Sequence, residues 1–179
     1  MFVTEEDRAR ADWPLMRDGG VALYWRPAIF DAAKAELAAL GYKLVEVSCR
    51  SMSKLCEDFS AGVGWRDVFG AWASWEGNLN QLDDLLYSWP DDWPGDRAIC
   101  LSAFHTIVEL EPDWSRGFVG ALARGSWSQA IQGQRLITLI HTDDADFAWD
   151  GLGGVSTSWN WREWFTANRL PGSEPKGAG

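Results

Sequence analysis

Two apolar runs limit the folds open to this chain: Ala98-Ile99-Cys100-Leu101 and Leu136-Ile137-Thr138-Leu139-Ile140. Neither shows the apolar–polar alternation of a strand with one wet face. Short runs of this kind suit strands buried on both faces, which belong to parallel sheets covered by helices. Tyr42 to Cys49 supplies a third strand, with Leu44, Val45 and Val47 among polar residues. Helical spacing fills the intervals. Ser51 or Ser53 caps a helix through Leu55, Cys56 and Phe59 that stops near Gly62. A second helix spans 78–88. Asp113 or Ser115 starts a third, through Phe118, Val119, Leu122 and Trp127, broken or kinked around Gly125. From residue 42 to 141 the order is strand, helix, helix, strand, helix, strand. An α/β fold follows: a small parallel sheet of three core strands covered by helices, joined by right-handed crossovers.

Additions flank this core, giving three parts: an N-terminal extension at 1–41, a domain at 42–150 and a Trp-rich tail at 151–179. Residues 1–19 are polar, with a short helix after Thr4 ended by Asp18-Gly19-Gly20. Val21 to Trp25 reads as a strand. Pro27 fits the first turn of a helix, in which Ile29, Phe30, Ala33, Leu37 and Leu40 keep helical spacing until Gly41. Residues 64–77 read as an irregular approach to the next helix, and Pro90 to Asp96 as a loop on turn chemistry. Gly151 to Gly154 is a linker, Trp159 to Phe165 a short aromatic helix, and the chain from Pro171 onward reads as disordered.

Composition narrows the function classes. The 179 residues, 46% hydrophobic and 23% charged, suit one well-filled globular domain with additions. Thirteen tryptophans exceed what one small core hides, so several belong at interfaces or under loops. A net charge of −10, a pI near 4.6 and sixteen scattered bases disfavour direct binding to nucleic acid. Cys49, Cys56 and Cys100 lack the spacing of a zinc site and are odd in number for a disulfide framework. With His105 and His141 the only imidazoles, no metal or cofactor is expected. Glu5, Glu6 and Asp7 stand where a signal peptide would need bases. No run approaches about 18 apolar residues, so no membrane span is expected, and the thiols fit a cytoplasmic protein.

The segment Trp75-Glu-Gly-Asn78-Leu79-Asn80-Gln-Leu82-Asp83-Asp84-Leu85-Leu86 carries the functional signal. At about 100° per residue, Leu79, Leu82, Leu85 and Leu86 form one stripe. Asn80 and Asp84 share another face, and Asp83 lies at the boundary. From Trp75 to Asp113 there are nine acids and one base, Arg97, interleaved with Trp75, Trp89 and Trp93. Negative charge beside aromatic planes suits a basic partner.

That segment, set between these elements, resembles the barstar family of ribonuclease inhibitors. The family pattern is an aromatic, a glycine, then Asn-Leu-Asp-Ala-Leu/Phe-x-Asp-x-Leu. The likeness covers roughly Tyr42 to Asp144, and more loosely back to about Asp18. It implies a barstar-like fold and an inhibitor, not an enzyme, that blocks a nuclease's active site with its second helix, where carboxylates occupy the place of RNA phosphates. A carboxylate accepts charge-assisted hydrogen bonds from an Arg cluster much as a phosphate does. By this resemblance Asp84 matches the family's principal acid, Trp75 an aromatic contact before the helix, Trp89 one after it, and Asn78 the Asn that opens it. Three departures bear on the partner. Asn80 stands where the family has Asp, Ser74 replaces an aromatic, and no acid lies between Trp114 and Thr142, where the family's third helix supplies one. Asp83, Asp91 and Asp92 offer alternative charge.

Structural roles compete at several of these positions. Asp84 is equally a solvated helix acid, Asn78 a plain N-cap, and Trp75 a core residue. Two alternatives to the inhibitor stand beside it. One is the same fold serving a non-nuclease partner. The other is a carboxylate-dependent hydrolase using Asp83, Asp84 or Asp143. Adjacent helix residues point in different directions, which makes Asp83 and Asp84 a poor catalytic pair.

Overall fold

A computed structural model describes residues 4–87, 95–149 and 157–170. Five parallel strands form one sheet in the order β2-β3-β4-β1-β5. They are β1 (Val21–Tyr24), β2 (Lys43–Ser48), β3 (Arg97–Ser102), β4 (Leu136–His141) and β5 (Ser158–Trp159). The helices are α1 (Glu5–Arg8), α2 (Asp12–Arg17), α3 (Pro27–Ala39), α4 (Met52–Val63), α5 (Trp65–Phe69), α6 (Leu79–Tyr87), α7 (His105–Leu110) and α8 (Pro112–Ile131).

The three expected core strands lie side by side as β2, β3 and β4, but the sheet does not end with them. β1 runs along β4 from the pair Val21–Thr138 to Tyr24–His141, and β5 from the tail pairs with β1 at Ala22–Ser158 and Leu23–Trp159. The strand expected at 21–25 and a short one from the tail thus join the three core strands in one sheet. The sheet also crosses both expected boundaries, at 41/42 and at 150/151. Pairing between strands more than a hundred residues apart leaves no mark in local periodicity. All four residues of β1 are buried, as befits a strand with neighbours on both sides.

Each face of the sheet carries its own core. On one, Val45, Val47, Ile99, Leu101, Leu136 and Ile140 meet α4, α6 and α8 through Leu55, Phe59, Leu82, Leu85, Leu86, Phe118 and Leu122. On the other, Ala22, Tyr24, Ala98, Cys100, Ile137 and Leu139 meet α3 through Phe30, Ala33 and Leu37. The chain crosses three strand positions from β1 to β2 under α3, then returns through β3 to β4 under the opposite helices. Reversing direction and face together keeps one hand for every crossover.

Glycines mark where backbones come closest. α4 begins at the Ser51 cap, whose hydroxyl accepts from Lys54 N–H at 3.2 Å. It ends at Val63, near Gly62 as expected, and a Cβ on Gly62 would lie 2.4 Å from Val45 Cγ1. Gly64, with φ +66°, ends it. α8 is continuous through Gly125, where a break or kink was expected. That glycine serves packing: a Cβ there would meet Leu86 at 2.9 Å, and one on Gly117 would meet Leu79 Cδ1 at 2.6 Å. The segment read as irregular contains α5. The aromatic helix expected at Trp159 to Phe165 is instead a short strand, β5, followed by 3-10 turns at Trp161–Glu163 and Thr166–Arg169. The expected linker at Gly151 to Gly154 and the segment from Pro171 onward lie outside the described residues.

A buried polar group ties the N-terminal helices to the sheet. Asp12 is fully buried and accepts from Arg10 Nε and Nη2 at 3.0 and 2.8 Å and from the Tyr42 hydroxyl at 2.8 Å, with Arg135 Nε 3.9 Å away. Burial pushes the carboxyl up, but the hydrogen bonds from Arg10 and Tyr42 outweigh it and hold the Asp12 pKa below its ordinary value. The carboxylate therefore stabilises the fold above the ordinary carboxylate pKa, and that contribution is lost as pH falls through the depressed one. Replacing Asp12 with Asn is expected to cost about 2–3 kcal/mol at pH 7, the scale for charged hydrogen bonds. In urea titrations the gap to the parent protein should narrow as pH falls below the ordinary carboxylate range.

Candidate functional site

The segment entering α6 is fixed by two indole hooks. Trp75 Nε1 donates to the Asn78 carbonyl at 2.8 Å, and Trp114 Nε1, from the first turn of α8, donates to the Gly77 carbonyl at 2.8 Å. Gly77 has φ +86°, a conformation that disfavours any side chain. Trp75 is 2% exposed, its ring 4.8 Å from Phe59 and 5.9 Å from both Trp65 and Phe118. The expectation that Trp75 touches a partner is corrected accordingly: its ring fills the core and sets the direction in which α6 leaves the loop.

Asn78 is the N-cap. Its Oδ1 accepts from the backbone N–H of Asn80 at 3.0 Å and of Gln81 at 3.3 Å, satisfying donors that a helix start leaves open. The side chain is exposed, so capping and outside contact are compatible there. Leu82, Leu85 and Leu86 are buried and Leu79 is partly buried, so the leucine stripe is core as expected.

The opposite face of α6 presents Asn80, Asp83, Asp84 and Tyr87 at helical spacing. Asp84 is exposed, and its carboxylate makes no hydrogen bond or ion pair among the described residues. Asp83 differs. Arg124 Nη2, from α8, donates to both of its oxygens at 2.9 and 2.8 Å, with both side chains about half-exposed. Adjacent in sequence, one acid is spoken for and the other is not. Trp89, Asp91, Asp92 and Trp93 lie outside the described residues.

The remaining acids divide in the same way. Glu76, Glu111 and Asp113 are exposed, and the Trp114–Gly77 hydrogen bond brings the starts of α6 and α8 to one end of the molecule. Asp96 is structural: its Oδ2 accepts from Arg135 Nη1 at 2.7 Å and its Oδ1 from the Arg135 backbone at 2.9 Å. A groove of about 770 Å³ opens between α4, α5 and the segment 73–76, lined in part by Met52, Cys56, Trp65 and Trp75.

Asp143, after β4, pairs with His105 Nε2 at 3.2 Å, with His141 Nε2 at 3.9 Å. No group of three His, Cys, Asp or Glu among the described residues could hold a metal ion. The three cysteines are free thiols; burial pushes Cys49 well up and Cys100 up to about 12, so neither is a ready nucleophile.

The described tail residues pack against β1 and the start of α3. Glu163, fully buried, accepts from the backbone N–H of Trp25 at 3.1 Å and of Arg26 at 2.8 Å, at the start of α3, and from Asn160 Nδ2. Arg169 lies 4.2 Å above the Trp159 ring and donates to the carbonyls of Ala145, Glu163 and Trp164. No spacing in the sequence pointed to these partners. Trp161 and Trp164, at 70% and 57% exposed, match the expectation that a Trp-rich chain keeps some indoles outside its core.

Replacing Asn78 with Ala is expected to cost about 1 kcal/mol through the lost cap, seen as a fall of roughly 2–4 °C in Tm. No family model, curated protein or solved structure matches this chain.

Proposed function

We propose that the protein is a barstar-like inhibitor, of the immunity type, that binds a ribonuclease and blocks its active site with α6. Asp84 carries the reading. It is an exposed carboxylate without a partner among the described residues, on a helix whose start is fixed by the Asn78 cap and two indole hydrogen bonds. A preorganised anion of this kind loses little freedom on entering a cationic cleft, and there it accepts the hydrogen bonds a phosphate would. The neighbours β2, β3 and β4, with α4, α6 and α8 on one face, suit the resemblance carried by residues 75–86. The net charge of −10 favours rapid encounter with a basic protein. Among the described residues no helix is long and apolar enough to cross a membrane, and a nuclease inhibitor of this kind would guard the cytoplasm.

Site by site, Asp84 makes the central contact and Asn80 the neighbouring one, Asn78 caps and borders the surface, and Trp75 acts from below. Asp83 contributes through its pair with Arg124. For the hydrolase alternative, Asp83 is paired with Arg124 and Asp84 has no acid–base partner among the described residues, which leaves Asp143, beside His105 and His141, as its remaining acid.

The test is RNA cleavage by a panel of small cationic ribonuclease domains, barnase among them, titrated with the protein. Stoichiometric inhibition of at least one member is expected, weakened by about 2 kcal/mol or more in Asp84→Ala. Asn80→Asp should raise the association rate at low salt and lose that gain at high salt. Full cleavage by every member at saturating protein rejects the reading.

A further inference from the structure

The outer face of α6 does not end at its acids. α6 and α8 lie side by side and run in the same direction: Leu79 packs on Gly117, Asp83 pairs with Arg124, and Leu86 packs on Gly125 and accepts from Gln129 Nε2 at 2.8 Å through its carbonyl. Tyr87 therefore lies at the level of residues 128–131 of α8. At that end Tyr87, Trp127 and Ile131 are 77%, 71% and 72% exposed. Trp127 and Ile131 follow Arg124 at i+3 and i+7, on one stripe. Arg124 gives Asp83 only its Nη2, leaving Nε and Nη1 without a hydrogen bond among the described residues.

The two helices thus make a surface of two signs. α6 offers Asp84, which has no partner among the described residues. α8 offers a guanidinium with one edge open and a large aromatic in water, and the chain has no acid between Trp114 and Thr142. Tyr, Trp and Arg set around an apolar patch are the residues that dominate protein interfaces. A uniformly cationic partner would give the open edge of Arg124 no acceptor.

We propose that Arg124, Trp127 and Ile131 of α8, with Tyr87 of α6, form the second half of the partner-binding surface, and that this half selects a ribonuclease carrying a surface carboxylate and an apolar socket beside its cationic cleft. The inference rests on the inhibitor reading and names the partner's chemistry. Arg124 then acts in two directions: its Nη2 holds Asp83, and its open edge takes the partner's carboxylate.

Calorimetric titration against the inhibited member of the ribonuclease panel tests it. Trp127→Ala should weaken binding by about 30-fold or more, and Arg124→Gln by about tenfold. Asp83→Asn keeps Arg124 and an amide oxygen to accept from it, and should weaken binding less than Arg124→Gln does. Arg124→Glu should be rescued by Lys at one acidic position of the ribonuclease rim. Trp127 and Arg124 are exposed, so Trp127→Ala and Arg124→Gln should keep the parent Tm. Equal losses in Arg124→Gln and Asp83→Asn would show that Arg124 only braces α6, and would overturn the proposal. Unchanged binding in Trp127→Ala and Arg124→Gln, with Asp84→Ala still weakened, would overturn it and leave the inhibitor reading standing. Loss in the α8 variants without loss in Asp84→Ala would keep this surface and remove phosphate mimicry. If no panel member binds, both readings fall. Sedimentation showing a dimer that Trp127→Glu dissolves would assign the face to a second copy of the chain and overturn the proposal.

Discussion

A parallel sheet has two apolar faces, and water must be kept from both. Here the helices that follow β2 and β3 cover one face only. Ala98, Cys100, Ile137 and Leu139 point the other way and would be bare in a molecule built from residues 42 to 150 alone. α3 covers them, and it can do so because β1 docks beside β4 and the chain then crosses back over the sheet to begin β2. The N-terminal segment is thus part of the core. Asp12, held by Arg10 and Tyr42, fastens the first helices to the same face.

With both faces closed, the sheet is a stiff platform for α6 and α8. Their closeness depends on Gly117 and Gly125, where any side chain would collide with Leu79 or Leu86. That closeness decides the electrostatics of the surface. It brings Arg124 against Asp83, removing one of two adjacent charges from the external field, and leaves Asp84 as the acid of the helix that faces water without a partner among the described residues. A short, nominally acidic helix therefore presents a more selective pattern than its composition suggests: one free anion, one shared ion pair and an aromatic edge.

The tail illustrates a buried charge made tolerable by donors. Glu163 has no exposure, yet three N–H groups from the start of α3 and from Asn160 converge on it. Arg169 gathers the carbonyls around it in the same manner. The result pins β5 to the edge of β1 and keeps these described tail residues clear of α6.

Local periodicity was enough to place what depends on neighbours in the chain. The buried runs at 98–101 and 136–140, the Pro27 and Ser51 helix starts, and the leucine stripe of α6 are all legible because burial on a strand or helix repeats every few residues. The Asn78 cap was legible too, since a cap acts within three residues. What the tertiary structure alone decided involves groups far apart in sequence: β1 beside β4, the packing of Gly125 on Leu86, the burial of Trp75, the pairing of Asp83 with Arg124 across 41 residues, and the seat of Glu163. Such contacts form because the backbone brings distant segments together, and no spacing along the chain encodes that meeting.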